Sequence, residues 1–134
     1  VVCPVTARGS ETILIVEDEA MLRELAREIL KDCGYQILEA TSGREALQVW
    51  ERHPGKINLL LTDMVMPEGV SGVELAERLV ASSPDLKVVY MSGYTSDEVS
   101  AELLTRTNAS FLQKPYGHAE LAKIVRDCLD KKLN

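Results

Sequence analysis

The stretch Ile57-Asn58-Leu59-Leu60-Leu61-Thr62-Asp63 decides the fold. It is almost uniformly apolar and then stops on a carboxylate, as a central parallel strand covered on both faces should. Three other short apolar runs behave alike. Thr12–Val16 runs into Glu17-Asp18, Leu86–Met91 stops at Ser92, and Phe111–Gln113 stops at Lys114-Pro115. Parallel strands of one sheet gather such end groups at its carboxyl edge, where open α/β sheets bind ligands. Three carboxylates, a hydroxyl and an ammonium on one edge point to phosphoryl transfer with a divalent metal.

Between the runs the periodicity changes from strand to helix. Leu22, Leu25, Ala26, Ile29, Leu30 and Cys33 follow helical spacing, and Gly34 is a helix stop. Tyr35–Ala40 reads as a short strand. Ser42 starts a helix to about Arg52 that buries Ala46, Leu47 and Trp50, ended by His53-Pro54-Gly55. A third helix, about Ser71 to Ser82, carries Leu75, Ala76, Leu79 and Val80. Thr95–Arg106 is a weaker helix anchored by Val99, Leu103 and Leu104, and the last helix, about Gly117 to Asp130, has Leu121, Ile124, Val125, Cys128 and Leu129 as its stripe. This is strand-helix five times over without a hairpin signal. Right-handed crossovers then give a parallel sheet with helices on both faces.

Composition narrows the function. At 134 residues, 46% of them hydrophobic, the chain is one globular domain. No apolar run approaches membrane-spanning length, so no membrane contact is expected of this domain. A net charge of −6, without a Lys/Arg cluster, disfavours nucleic acid. Residues 1–10, with Pro4, Gly9 and Ser10, lack periodicity and read as a tail or linker ahead of a domain spanning 11–134. Cys3, Cys33 and Cys128 are odd in number and lack metal-ligand spacing. Cys33 and Cys128 fall on apolar helical stripes and read as buried free thiols, which fits a reducing cytoplasm. His53 and His118 stand alone and read as surface histidines. Glu24/Arg27 and Glu28/Lys31 read as a solvated helix face.

Asp63 is the central candidate. Ending the most buried strand, its carboxylate can project from the sheet and attack phosphorus to form an acyl phosphate. By itself an aspartate there would be a turn or capping residue. Glu17 and Asp18 supply the oxygen ligands that Mg²⁺ prefers, and bound metal would offset their repulsion of Asp63. Glu17-Asp18-Glu19 could equally favour the start of the first helix. Lys114 brings a point charge for a phosphoryl oxygen or for Asp63, Ser92 a hydroxyl donor, and Gly93 room for an incoming group. Each has an ordinary alternative, a surface lysine or a Ser-Gly turn. Together, at four strand ends in order, they make a site.

Glu17-Asp18, Asp63-x-x-Met66-Pro67, Ser92-Gly93 and Phe111-x-x-Lys114-Pro115 resemble the receiver domain of two-component response regulators, over about Glu11 to Leu129. The resemblance implies a doubly wound, flavodoxin-like, five-stranded parallel sheet of order 2-1-3-4-5. It implies phosphorylation of Asp63 by a histidine kinase or histidine phosphotransfer domain, with weak homodimerisation left open. It implies Mg²⁺ held by Glu17, Asp18, Asp63 and the backbone carbonyl of Val65. Ser92 and Phe111 match the switch hydroxyl and switch aromatic, and Lys114-Pro115 the cis peptide bond. Several positions depart from the commonest pattern: Glu17 for an Asp, Ser92 for a Thr, Asn108 where a Gly often stands. The loop from Met66 to Gly72 is one residue longer than usual. With Gly9–Leu14, that loop resembles receivers at the C-terminus of hybrid sensor histidine kinases.

Three rival readings differ in testable ways. A haloacid-dehalogenase-like phosphotransferase needs a second Asp two residues after the nucleophile, and Val65 stands there. A flavin or nucleotide binder needs a Gly- or Ser/Thr-rich loop after the first strand, where Glu17-Asp18-Glu19 repels phosphate. A degenerate receiver, acting only as a binding module, would have lost part of the site that is intact here.

Overall fold

Five strands form a single parallel sheet in the computed structural model, which describes residues 3–64, 66, 69–93 and 109–131. The strands are β1 (Thr12–Val16), β2 (Gln36–Ala40), β3 (Leu59–Asp63), β4 (Lys87–Ser92) and β5 (Ala109–Gln113). Their order across the sheet is β2-β1-β3-β4-β5, the expected doubly wound arrangement. The helix expected over Thr95–Arg106, together with Val65 and Asn108, lies outside the described residues.

β3 is buried along its whole length between β1 and β4, which explains its apolar run. Alternate strand residues face two cores. One, with Ile13, Ile15, Leu59, Leu61, Val89 and Met91, lies under α1 (Ala20–Asp32) and the C-terminal helix (His118–Asp130). The other, with Leu14, Leu60, Val88 and Tyr90, lies under α2 (Gly43–Arg52) and α3 (Gly72–Ser82).

Helix ends follow local chemistry. The Ser42 and Ser71 hydroxyls accept hydrogen bonds from the amides of Glu45 and Glu74, both at 3.1 Å, capping α2 and α3. Gly34 leaves α1 at φ +102°, a backbone that favours glycine. Helix faces were less well resolved by periodicity. In α2 the buried side chain beside Ala46 is Val49, while Leu47 and Trp50 are only half-buried. In α1, Leu25 is exposed rather than in the core.

The N-terminal segment departs from its reading as a tail. Val5–Ala7 forms a single 3-10 turn, and Cys3 and Ala7 are buried against α1 and the C-terminal helix. Cys3 and Cys33 are joined by a disulfide, their Cα atoms 5.1 Å apart. That corrects the expectation of a free thiol at Cys33, and with it the argument from free thiols to a reducing compartment. Spacing along the chain cannot reveal a bond made because this segment folds back over the end of α1. Cys128 is buried and free, as expected.

Candidate functional site

The sheet fixes each polar group by the backbone of the strand that delivers it. Asp63, the last residue of β3, is 5% exposed. Its neighbour Met64 donates its amide to the Met91 carbonyl at 3.1 Å, tying the end of β3 to β4. The Thr62 hydroxyl donates to the Asp63 carbonyl at 3.0 Å. Glu17 follows β1, its amide bonded to the Ala40 carbonyl at 3.1 Å and its carbonyl accepting from Arg23 at 2.8 Å. Lys114 follows β5 and donates its amide to the Ser92 carbonyl at 2.7 Å. The Lys114-Pro115 peptide is cis, as the resemblance implies.

These anchors converge on a charge cluster. Lys114 Nζ lies 2.5 Å from Asp63 Oδ1 and 2.8 Å from Glu17 Oε1. Two buried carboxylates thus share one ammonium. Burial first, and then the neighbouring Glu17, push the Asp63 carboxyl up to about 7, against the pull of Lys114. Glu17 goes the other way. Burial would raise it, but hydrogen bonds from Asp63, Lys114 and the Glu19 amide together hold it below the usual carboxylate range. Burial likewise opposes the charge on Lys114, and the two carboxylates outweigh it.

The cluster is short of positive charge. Asp18, exposed at the rim, joins Glu17 and Asp63 so that one oxygen from each lies within 4.8 Å of the others. An all-carboxylate donor set facing one lysine fits a hard divalent cation that keeps several waters. It opens into a polar cleft of about 270 Å³ lined by Asp18, Glu19, Asp63, Ser92, Gly93 and Lys114, with Met91. Among the described residues a Cβ on Gly93 would meet no atom within 4 Å, so none of them needs a glycine here for packing.

Glu17, Asp18, Asp63, Ser92 and Lys114 are therefore brought together as read. Phe111 is not in the cleft. It sits on β5 opposite Tyr90, half-buried against the α2–α3 core. Val65 lies outside the described residues.

Gly72 was missed. It is the first residue of α3, and its amide donates to the Met64 carbonyl at 3.0 Å. A Cβ there would collide with the Asp63 carbonyl. The available signal was a glycine just inside a Ser-capped helix, where almost any residue favours the helix more. Lys114 also lines an apolar groove with Leu22, Leu25, Pro115 and Tyr116, beside the polar cleft.

Known proteins resemble this chain in sequence and fold. The response regulator receiver domain family matches residues 13–126. Sensor kinase CckA of Brucella abortus (strain 2308) is 37% identical over 124 residues, which cover 92% of this chain and 13% of that kinase. The response regulator receiver protein CpdR of the same strain is 31% identical over 117 residues, 87% of this chain and 95% of that protein. Among solved structures, the receiver domain of the hybrid histidine kinase CckA matches with a TM-score of 0.74 at 34% identity, covering 89% of this chain and 99% of that one. The structure of NtrX from Brucella abortus gives 0.82 at 25% identity, with 91% of this chain and 27% of that one covered. The chain thus spans nearly all of CpdR but only a small part of CckA.

Proposed function

This chain belongs to the response regulator receiver domain family, the phospho-accepting domains of two-component systems, and from that premise we propose that Asp63 is the residue that takes the phosphoryl group. The observation that carries the assignment is the Asp63–Lys114–Glu17 cluster opening into a polar cleft. An Asp63 carboxylate oxygen attacks the phosphorus of a phosphohistidine. The O–P bond forms, the N–P bond breaks, and the imidazole leaves and takes a proton from solvent. Asp63 has to give up its own proton first, and Lys114 beside it favours the anion. Lys114 then pairs with a phosphoryl oxygen, while the Ser92 hydroxyl donates to another.

Glu17, Asp18 and Asp63, with the Val65 carbonyl, are the residues that would hold Mg²⁺, which when bound supplies charge neutralisation to the phosphoryl oxygens. The remaining contribution is positioning, since the acceptor and its cation stand on strands that cannot move independently. The residue two positions after Asp63 in the sequence is Val65, neither acid nor base, which supports a group that is held and reported rather than turned over. Drawing Ser92 inward and rotating Phe111 would then shift an existing equilibrium on the face around β5 and the C-terminal helix.

The donor in this reading is a histidine kinase or a histidine phosphotransfer domain. The identity to CckA supports the finer reading of a receiver from a hybrid kinase. A cytoplasmic location follows from the donor, since phosphohistidine is charged from ATP. Incubation with a small phosphodonor and Mg²⁺ should add one phosphoryl group to the intact protein by mass. Asp63→Asn should abolish the gain; an unchanged adduct overturns the assignment.

A further inference from the structure

We propose that Cys3–Cys33 is a reversible thiol–disulfide site that fastens the N-terminal segment across the end of the domain opposite the phosphoacceptor cleft. Cys33 is the C-cap of α1, whereas Glu17 and Asp18 precede that helix, so its 13 residues separate fastening from chemistry. The segment fits a built seat. The Gly9 amide donates to the Cys33 carbonyl at 3.0 Å, and a Cβ on Gly34 would stand 2.5 Å from the Gly9 carbonyl oxygen. The Tyr35 hydroxyl donates to the Ala7 carbonyl at 3.2 Å, and Arg126 to the Arg8 carbonyl at 3.2 Å. Beyond these bonds, the bridge and the buried Cys3 and Ala7, the turn is largely exposed, Val5 by 81%. A cavity of about 150 Å³, lined by Cys3, Cys33, Asp32 and His118 among others, abuts the bridge, whose cysteines are themselves buried.

The exchange is balanced. One thiolate of a dithiol reductant attacks a bridge sulfur, breaking the Cys3–Cys33 bond and releasing the other cysteine as a thiolate. The reductant's second thiol resolves the mixed disulfide, leaving the reductant oxidised by two electrons and both cysteines reduced. A small disulfide such as oxidised glutathione drives the reverse. Reversibility rests on the cytoplasmic location proposed above, since disulfides in reducing compartments are characteristically transient.

The test uses the whole chain. Under denaturing alkylation, protein treated with oxidised glutathione should show one reactive thiol, Cys128, and protein treated with dithiothreitol should show three. Tryptic cleavage after Arg8 should be at least about tenfold faster in the reduced form, because the segment then opens locally. Cys3→Ser should cleave at the fast rate with or without reductant, and Cys128→Ser should keep the difference. Phosphodonor labelling should be equal in both redox states. Three reactive thiols after oxidation, equal cleavage rates, or loss of labelling on reduction would each overturn the proposal, the last by making the bond a structural staple.

Discussion

Gly72 lies so close over the carbonyl of Asp63 that only a hydrogen fits between them. The first turn of α3 is thereby pressed onto the end of the strand that presents Asp63. Gly72→Ala should lower stability by about 1–3 kcal/mol, the usual range for overpacking a filled site. The shift should appear as a lower denaturant midpoint at unchanged slope. A helix propensity gain without loss of stability would refute the contact.

Lys114 is the one cation that both buried carboxylates touch among the described residues. Lys114→Ala should slow labelling by a small phosphodonor on the order of 100-fold, the scale of losing one preorganised charge. It should not abolish labelling, because the nucleophile remains. Mass spectrometry over a time course separates slow from absent.

Mg²⁺ should stabilise the folded domain and not the unfolded chain, which cannot assemble the three carboxylates. At a metal concentration 100-fold above Kd the gain is about 2.7 kcal/mol. Asp18→Ala should remove most of it while leaving stability in chelator nearly unchanged, since Asp18 is exposed whereas Glu17 and Asp63 are buried. Thermal melts with and without metal read both arms.

Arg126 grips Glu11 through two nitrogens, at 2.7 and 3.1 Å, and Asp130 at 2.8 Å. The Arg126 hydrogen bond, the largest influence on Glu11, holds its carboxyl below the unfolded value of 4.5. The folded pKa is depressed, so this stabilisation is present above about 4.5 and is lost as pH falls through the folded value. Glu11→Gln should flatten that part of the acid-stability curve. A denaturant midpoint series between pH 6 and pH 3 measures it.

What could be read from the sequence was local or periodic. The end of each apolar run marked a strand end, because burial on both faces demands apolar residues until the chain reaches the sheet edge. Ser42, Ser71 and Gly34 marked helix ends by side-chain and backbone chemistry that acts within a few residues. Asp63, Glu17 and Lys114 could be joined in advance because parallel topology forces their ends together. The seat of Cys3–Gly9 could not be read, since an aperiodic segment shows its partners only after α1 and the C-terminal helix have packed. Nor could Leu25 be separated from the core, because a helical stripe does not say where its covering layer stops. The contact of Gly72 with Asp63 depends on a carbonyl, and a carbonyl has no signature in sequence.

The ion pair between Lys114 and Glu17 joins residues 97 positions apart, and it needs β1, β3, β4 and β5 all in register. No shorter stretch of the chain contains the site. Parallel pairings of this kind form late, after their loop-closure cost has been met. During synthesis the acceptor strand is complete long before the lysine that completes its environment has emerged. A nascent or partly unfolded copy therefore carries Asp63 as an ordinary solvated aspartate, without the ammonium that pairs with it in the folded domain. On the role proposed for Asp63, full competence to take a phosphoryl group is thus a certificate of complete folding.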